Sequence, residues 1–332
     1  MAAGDIERRP PGTPPWRRHA VAPVGARIAL RDALSFIASV VHPTDFSAAS
    51  QRAFAHAMAV ALIRRASLTL LHVSTDERGE WSGFPAVRQT LERWHLLRPG
   101  STQEEVATAV GVKVKKVTVS SRSPVSAVTD YVHRKRTDLL VVGTEQREGL
   151  ARFLHGSTAA AMARRSRTMT LFVPAEAQRC LVSLEDGSLT LRNILIPIDH
   201  APDPRAAFEF ARRVARIAGG DAVTITLLHV GANMPDIRFA DGPAWKVARV
   251  RRDGDPVEQI VATADALKAE LIVMTTAGRA GVFEALRGST TERVLRHASC
   301  PLLAVPARIV RPPLGVLVRG RPFDGLPFPT GA

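Results

Sequence analysis

Residues 271–306 read LIVMTTAGRAGVFEALRGSTTERVLRHASCPLLAVP, and the organisation of the whole chain can be worked out from this stretch. A short apolar run leads into a glycine-containing loop, then to Gly288, Ser289 and Thr290, an amphipathic segment and a second apolar run. This order predicts a strand, a loop, a helix and a strand. Ser289 with Glu292 three residues later forms a capping box, which predicts that the helix starts there.

The start of that helix has two interpretations. Free backbone N–H groups at a helix N-terminus attract anions, so the Gly-Ser pair could hold a phosphate. A Gly-Ser pair is also how a chain ends one helix and caps the next. The spacing alone leaves both interpretations open.

The stretch occurs twice in the chain. Residues 139–174 repeat it at a constant offset of 132 positions, so that Gly156 matches Gly288 and Pro174 matches Pro306. An upstream segment that begins VVHPTDFSAAS also returns, as ILIPIDHAPDP. Two copies of one domain are the economical interpretation, at residues 35–175 and 193–307.

The charge balance bounds the partners that the chain could bind. Of the net +14, residues 1–35 and 307–332 account for +3 each, which leaves +8 for the part between them. Basic charge alone promotes only sequence-independent, salt-sensitive contact with polyanions. Since no helix-turn-helix, zinc-finger spacing or aromatic-rich strand is visible, we expect no specific nucleic-acid binding.

Targeting and redox signals are sparse. No long apolar run escapes interruption by charge or proline, so we expect no membrane span. Residues 1–34 are rich in Pro and Arg and lack the apolar core of a signal peptide, and we expect a disordered tail there and a flexible tail at 308–332. Cys180 and Cys300 give no disulfide framework, which favours a cytoplasmic location.

The first copy is about 25 residues longer than the second between corresponding strand and helix positions, which predicts a helical insertion at about 78–111. Residues 85–97 have helical spacing, with Leu91 and Trp94 on one face, and we interpret Trp94 as a core residue. Ser101 with Glu104 predicts the cap of a further helix.

The linker between the copies, residues 176–192, carries Asp186 and Gly187 between alternating residues. This pattern predicts an ordered hairpin.

Three motifs recur in the same order in both copies: a strand ending in Pro-x-Asp, a strand ending in Leu-His-Val, and a glycine loop of the form G-x2-G-x9-G-[S/T]. With these motifs the chain resembles a tandem member of the universal stress protein family over both copies. The resemblance implies an α/β fold of two tandem doubly wound domains, adenine nucleotide alpha-hydrolase-like. Each domain would be a five-stranded parallel sheet with helices on both faces, and the copies could pair through their last strands.

In an open parallel sheet, ligands bind at the carboxyl ends of the strands where the strand order reverses. The resemblance implies that the aspartate after the first strand faces an adenine and that the glycine loop and helix start hold phosphates. The candidate nucleotide-binding residues in the first copy are Pro43, Thr44, Asp45, Val73, Gly143, Gly156, Ser157 and Thr158. In the second copy they are Pro197, Ile198, Asp199, Val230, Met274, Thr275, Gly278, Arg279, Gly288, Ser289 and Thr290.

Both copies depart from the family pattern in the glycine loop. The first keeps Gly143 but has Gln146 at the second glycine position, whereas the second has Thr275 at the leading position and keeps Gly278. A side chain at a glycine position can block positive φ or close phosphate approach. We expect a nucleotide to prefer the second copy, where Gly278 precedes Arg279 and a further arginine, Arg287, adds charge.

These observations support functions from three classes. The first is a stress-response regulatory protein that binds an adenine nucleotide, ATP, with Mg²⁺ only if ATP is bound. The alternative is a nucleotide-free docking protein that binds a protein partner. Besides the intramolecular pair of copies, the chain could also form a homodimer. An ATP-hydrolysing enzyme ranks third, at most with weak activity, because no Walker lysine or paired acid for Mg²⁺ is visible.

Metal binding and nucleophilic catalysis have little support. His42, His72 and His155 are expected near one edge of the first copy, with Asp45 close by. However, the histidine of Leu-His-Val belongs to the strand-end pattern, and no nucleophile with an evident base is present. We expect neither a metal site nor catalytic residues.

Overall fold

A computed structural model describes residues 37–75, 81, 87–102, 105, 110–145, 158–218, 222–276 and 290–307. The first half contains β1 (Ser39–Thr44), α1 (Ala48–Arg64), β2 (Ser67–Ser74), α2 (Val87–Arg93), β3 (Val114–Ser120), α3 (Pro124–Lys135), β4 (Leu139–Thr144), α4 (Thr158–Ser166) and β5 (Met169–Pro174). The second half contains β6 (Asn193–Pro197), α5 (Arg205–Ala218), β7 (Val223–Val230), β8 (Trp245–Arg252), α6 (Pro256–Ala266), β9 (Leu271–Thr276), α7 (Thr290–His297) and β10 (Leu302–Pro306).

The ten strands form one sheet in the order β3-β2-β1-β4-β5-β10-β9-β6-β7-β8. All neighbours within a half are parallel, and β5 and β10 alone pair antiparallel, with Leu302 opposite Phe172 and Ala304 opposite Thr170. The predicted fold of two doubly wound five-stranded units is therefore confirmed. The two copies pair with each other through their last strands.

Two cores cover the two faces of this sheet. Alternate strand residues point to opposite faces, so Val40 and Leu70 belong to a first core on the side of α1 and α5, whereas Val41 and Leu71 belong to a second core. The second core is covered by α3, α4, α6 and α7. Each core contains residues of both halves. Burial on both faces explains why the central strands are almost continuously apolar, unlike the edge strands β3 and β8.

Helix α1 shows how the local sequence sets these contacts. The Ser47 hydroxyl accepts a hydrogen bond from the Ser50 N–H at 3.2 Å and caps the helix start. Ala53 and Ala57 are fully buried, and their small side chains allow the helix to lie close against β1, β4 and β5. The helix ends at Arg65, which adopts φ 51°.

The same carboxylate contact starts the sheet in both halves. The Asp138 Oδ2 accepts hydrogen bonds from the backbone N–H groups of Ala38 and Ser39, at 2.9 and 3.0 Å. At the corresponding place in the second half, Glu270 Oε2 accepts from the N–H groups of residues 192 and 193, at 3.1 and 2.8 Å. An acidic residue just before the fourth strand of each half thus fixes the start of its first strand. Hydrogen bonds to a charged acceptor make this a strong contact.

The linker between the halves folds back on itself. Val182 pairs with Leu189 in an antiparallel bridge, and the turn reaches Gly187 at φ 69°. The indole of Trp94, which follows α2 and is 2% exposed, donates from Nε1 to the carbonyl of Leu184 at 3.2 Å. The region after α2 therefore packs against the linker.

The capping box predicted at Ser101 and Glu104 lies one residue later. The Glu105 carboxylate accepts from the Thr102 N–H at 2.6 Å, and the Thr102 hydroxyl accepts from the Glu105 N–H at 3.4 Å. Both pairs have the three-residue spacing, so the sequence alone does not separate them. Glu104 itself is outside the described residues.

Candidate functional site

The strand order places a reversal at one edge of each half. From β1 the chain continues to β2 and β3 on one side and then returns to β4 on the other side of β1. The second half repeats this with β6 and β9. The carboxyl ends of β1 and β4, and of β6 and β9, are therefore the places where an open parallel sheet binds ligands.

Asp45 and Asp199 lie at these reversals and are exposed. Each carboxylate is oriented by its own turn, because Asp45 Oδ1 accepts from the Ser47 N–H at 3.1 Å and Asp199 Oδ1 accepts from the His200 N–H at 2.8 Å. The two aspartates thus occupy equivalent places, and each is exposed and held by one backbone N–H of its own turn. Pro43 and Pro197, two residues before them, are half-buried.

The histidines of the Leu-His-Val motif hold these turns in place. His72 Nδ1 lies 2.9 Å from the carbonyl oxygen of Thr44, and His229 Nδ1 lies 3.1 Å from that of Ile198. A ring nitrogen facing a carbonyl oxygen must donate. Each histidine therefore ties the end of the second strand to the residue that precedes the aspartate, which is a structural role.

Val73, Val230 and Met274 have side chains on the face of the second core. Thr158 and Thr290, the first residues of α4 and α7, are exposed. Crossover helices run opposite to the strands, so both helices start at the edge that carries the aspartates. The structure brings this subset of the predicted site residues to one edge and one face.

Three other predicted residues direct their side chains elsewhere. The Thr44 hydroxyl accepts a hydrogen bond from Ser50 on α1, and Ile198 is buried in the first core. Thr275 follows the strand alternation to the same side, and its buried hydroxyl has no partner among the described residues. On the face of the second core, these three residues and Gly143 can therefore offer a ligand only their backbone groups.

Gly143 is a glycine because of packing against α1. A Cβ atom built on it would lie 2.6 Å from the carbonyl oxygen of Ala49 and 3.0 Å from the backbone nitrogen of Ser50. Any side chain would therefore press on the backbone of the first helical turn. The sequence connected this glycine with phosphate approach, whereas the structure gives a different reason for its presence.

Thr144 is a polar group at the site that the sequence analysis did not single out. It is 7% exposed, and its hydroxyl has no hydrogen-bond partner among the described residues. By strand alternation it shares a face with Val142, which belongs to the second core. An unpaired buried hydroxyl at the end of β4 is a group that a polar ligand could satisfy.

A buried polar network lies behind the first site. His42 is fully buried, its Nδ1–H donates to the carbonyl of Val141 at 2.9 Å, and its Nε2 lies 3.2 Å from the Ser50 hydroxyl. The Ser50 hydroxyl is also 2.7 Å from that of Thr44. Burial lowers the pKa of His42 to about 4, although the hydrogen bond to Val141 and the charge of Asp45 oppose this.

The second half has an apolar counterpart of this network. Ile196, Ile198 and Pro204 stand where the first half has His42, Thr44 and Ser50. Ile196 and Ile198 are buried in the first core. The two sites thus share their backbone plan and differ in the polarity of the layer beneath them.

Aromatic side chains flank the first site. Phe46 has φ 65° and stacks on His72 at 4.3 Å between ring centroids, and Trp81 packs edge-on against Phe46 at 5.6 Å. In the second half His200 occupies the place of Phe46 and lies 6.0 Å from His229. The sequence analysis did not identify this cluster, because Trp81 is distant in the chain.

The phosphate-binding part of the prediction lies outside the described residues. This applies to the glycine loops and to both helix-start pairs: Gln146, His155, Gly156, Ser157, Gly278, Arg279, Arg287, Gly288 and Ser289. A groove of about 500 Å³ is present elsewhere, between the end of β3 and α3, and includes Ser120, Ser126 and Asp130. None of the predicted site residues lines it.

Among the described residues, no group of three or more His, Cys, Asp or Glu side chains is placed to hold a metal ion. In the same part of the chain, no helix is long and apolar enough to span a bilayer.

The fold and the two equivalent edges define a tandem, doubly wound α/β protein with one candidate site in each half. A family model, the Universal stress protein family, matches residues 38–174 and 236–306, which is more than half of the chain. The chain belongs to this family.

Individual relatives agree with the assignment. A universal stress protein of Mycolicibacterium smegmatis is 26% identical over 296 residues, which cover 80% of this chain and 95% of the relative. One of Methanocaldococcus jannaschii is 47% identical over 68 residues, and this match spans only 20% of the chain and 40% of that relative's length. The crystal structure of a universal stress protein from Archaeoglobus fulgidus has a TM-score of 0.53 at 17% identity, covers 81% of this chain and 98% of its own, and supports the fold.

Proposed function

We propose that this universal stress protein is a stress-response regulatory protein that binds an adenine nucleotide, ATP, at the carboxyl edge of its sheet, with preference for the second half. The observation that carries the proposal is the placement of Asp45 and Asp199, which are exposed at the two strand-order reversals. A carboxylate at this place can accept hydrogen bonds from an adenine amino group or a ribose hydroxyl.

The surroundings of the aspartates suit such a ligand. Val73 and Val230 offer apolar contact beside them on the face of the second core. The starts of α4 and α7 face the same edge, and free N–H groups at helix starts favour phosphate. In the first half, the Thr144 hydroxyl, which has no partner among the described residues, provides a further polar contact.

The preference for the second half rests on the sequence of the loops. The second copy keeps Gly278 directly before Arg279, whereas the first has Gln146 at the equivalent glycine position. The packing of Gly143 against Ala49 weakens the case for the first half further, because that glycine is needed by the fold whether or not a ligand binds. Mg²⁺ would enter only with ATP, and any hydrolysis would be weak.

The same observation about Gly143 supports a second candidate function. If the glycines kept in the loops serve the fold alone, the protein is a nucleotide-free docking protein, in which the two edges and the region after β2 form a protein-binding surface. The two functions are distinguished by whether the purified protein releases adenine nucleotide on denaturation and whether it binds ATP afterwards.

Calorimetric titration with ATP of a matched pair of variants tests the proposal. Asp199→Ala and Asp45→Ala each remove an exposed carboxylate that is held by one backbone N–H in its own turn. We expect binding by the parent protein and a loss of ten-fold or more in affinity for Asp199→Ala, with less than a three-fold loss for Asp45→Ala.

Glycine variants at positions 278 and 143 would not form a matched pair. A side chain at Gly143 would disturb the first turn of α1, and lost binding would then report damage to the fold. Equal losses in the two aspartate variants would contradict the preference for the second half. No binding by the parent protein would contradict nucleotide binding and favour docking.

A further inference from the structure

At the amino edge of the first half, opposite the candidate nucleotide site, an arginine in the left-handed conformation follows a helix three times. Helices α1, α3 and α4 are followed by Arg65, Arg136 and Arg167, with φ of 51°, 50° and 52°. Glycine is the usual residue at a left-handed position after a helix, because a Cβ atom is unfavourable there. A cation at a helix C-terminus interacts favourably with the helix dipole, which offsets part of that cost.

The sheet register aligns these three arginines. Ser67 of β2 pairs with Ser39, Leu139 of β4 pairs with Val40, and Met169 of β5 pairs with Leu139, so the three strands start at the same level. Each arginine lies two or three residues before its strand. Because strands are about 4.8 Å apart, the row from β2 to β5 spans about 14 Å of the edge.

Other cations extend the row. Lys113 precedes β3, and its carbonyl accepts from the N–H of Leu68 at 2.9 Å, which places it beside the start of β2. His133 Nε2 lies 2.9 Å from the carbonyl oxygen of Ser166, and this contact holds the last turns of α3 and α4 together. We call the exposed cations of this region the basic edge: Arg65, Lys113, Arg134, Lys135, Arg136 and Arg167.

The charge of the basic edge is not neutralised within the described part of the chain, where none of its six residues forms an ion pair. Arg165 is also exposed, but it donates to the hydroxyl of Ser126 in the first turn of α3 at 3.3 Å and so points away from this edge. Asp138 is the nearest acid in the sheet, and its Oδ2 already accepts from Ala38 and Ser39. Asp130 lies one turn before Arg134 on α3 without a described ion pair.

The second half does not repeat this charge. Four of the six positions are uncharged there: Ala222, Ala266, Leu267 and Ser299 stand in place of Arg65, Arg134, Lys135 and Arg167, whereas Lys246 and Lys268 keep the charge of Lys113 and Arg136. The second half also brings acids to its amino edge, since Asp265 pairs with Arg179 at 2.5 Å. The basic edge therefore belongs to the first half and does not follow from the fold that the two halves share.

We propose that the basic edge binds the phosphate backbone of a double-stranded nucleic acid without reading its sequence. The described part of the edge offers charge and no apolar anchor. Among the described residues, the large hydrophobic residue that is exposed is Leu184, which lies in the linker and not at this edge. A protein interface depends on buried aromatic or aliphatic anchors, and stable membrane binding needs an apolar or lipid component besides charge. Single strands are bound by stacking on aromatic rings. A duplex backbone is bound through charge alone, with counterion release.

Glycine variants test the proposal with little risk to the fold, because glycine is favoured at these left-handed positions. The edge variant combines Arg65→Gly, Arg136→Gly and Arg167→Gly in the full chain. The control variant removes the same number of charges from the second half, as Lys268→Gly, Arg205→Ser and Arg238→Ser. Lys268 has φ 51° and is the counterpart of Arg136, so it matches the backbone change.

The measurement is fluorescence anisotropy with a labelled 20-base-pair duplex of arbitrary sequence, between 50 and 200 mM salt. We expect salt-dependent binding by the parent protein and an affinity at least ten-fold lower for the edge variant at 100 mM salt. The slope of log affinity against log salt should fall by roughly 0.9 for each phosphate that the protein no longer neutralises, hence by up to about 2.7. The control variant should change the affinity less than three-fold.

Four outcomes would overturn the proposal. One is no duplex binding by the parent protein at 50 mM salt, and a second is an equal loss in the edge and control variants, which would reflect net charge alone. The third is edge-dependent binding of a poly-glutamate peptide or of anionic phospholipid vesicles without binding of the duplex, which would assign the basic edge to a protein or a membrane. A two-fold or smaller effect of the edge variant on duplex binding also contradicts it.

Discussion

The indole of Trp94 and the backbone of Gly187 are in direct contact, so that a Cβ atom on Gly187 would lie 2.5 Å from Cδ2 of the ring. Gly187 also has φ 69°, which L side chains rarely adopt. The glycine is thus required both by its own conformation and by the ring above it. The contact joins the linker hairpin to the region that distinguishes the first half from the second.

Gly187→Ala should lower the free energy of unfolding by about 2–4 kcal/mol, of which about 1–2 kcal/mol comes from the left-handed backbone and the rest from overpacking against Trp94. Gly100→Ala is the matched control, since Gly100 has φ 81° and nothing within 4 Å of its Cβ position. Urea unfolding of both variants measures the difference. Equal destabilisation would show that the indole moves aside without cost.

Gly143→Ala should destabilise the protein by about 1–3 kcal/mol, because the new methyl group presses on the backbone of Ala49. The equivalent position in the second half holds Thr275, whose buried hydroxyl has no described partner. Thr275→Val should therefore be neutral or stabilise by up to about 1 kcal/mol, since it removes an unpaired polar group at constant volume. Thermal or urea unfolding of the two variants should give shifts of opposite sign or of clearly different size, and a neutral Gly143→Ala would contradict the packing explanation.

The stability should fall as the pH is lowered from about 6.5 to about 4. Burial lowers the pKa of both His42 and His56 to about 4, from the usual value of 6.5. In that window the unfolded chain binds more protons than the folded protein, so each histidine contributes a slope of up to about 1.4 kcal/mol per pH unit.

Urea unfolding at several pH values between 4.5 and 7.5 measures this slope. His42→Ile, which copies Ile196 of the second half, should remove about half of the histidine contribution, and adding His56→Leu should remove most of the remainder. Carboxylates also titrate in this range, so the comparison is between variants at each pH. An unchanged slope in the double variant would contradict the assignment to these two histidines.

The two cysteines should react at very different rates in the native protein. Burial raises the pKa of the Cys300 thiol to about 12, so its thiolate fraction is reduced by roughly 1,000-fold relative to an ordinary thiol, in addition to its lack of access. Cys180 is half-buried, with its sulfur 2.9 Å from Nη1 of Arg52.

A thiol reagent at neutral pH should label one cysteine quickly and the second only after unfolding. Cys180→Ser should abolish the rapid phase, whereas Cys300→Ser should leave it intact. Rapid labelling of both thiols in the native parent protein would show that the core around Cys300 opens readily.

The strands and helices of both halves can be predicted from the sequence, because a pattern that recurs in both copies is assigned more securely than one that occurs once. An apolar run such as 271–274 is ambiguous by itself, but its recurrence at 139–142 between the same neighbours defines a buried strand. An acid, Asp138 or Glu270, precedes the fourth strand in both copies, and this regularity is visible in the sequence. Its contact with the start of the first strand could not be predicted, because that requires knowing which strands are adjacent.

The candidate site was less accessible from the sequence. Gly143 looks like a loop glycine, and only the position of α1 reveals the contact with Ala49. The link between Trp81 and Phe46 depends on how a long insertion returns to the sheet, and the basic edge depends on three helices ending at one level. The preference of a nucleotide for the second half remains a prediction.

The antiparallel contact of β5 with β10 has a consequence for how the two halves can change. A pair of identical subunits carries every substitution twice and separates on dilution, whereas a tether holds its two parts at an effective concentration in the millimolar range. In this chain a single substitution changes only one of the two halves, and the halves stay together because they are covalently linked. The buried histidine network and the basic edge of the first half, and the isoleucines and largely uncharged residues at the same places in the second, are the divergence that such a tether permits.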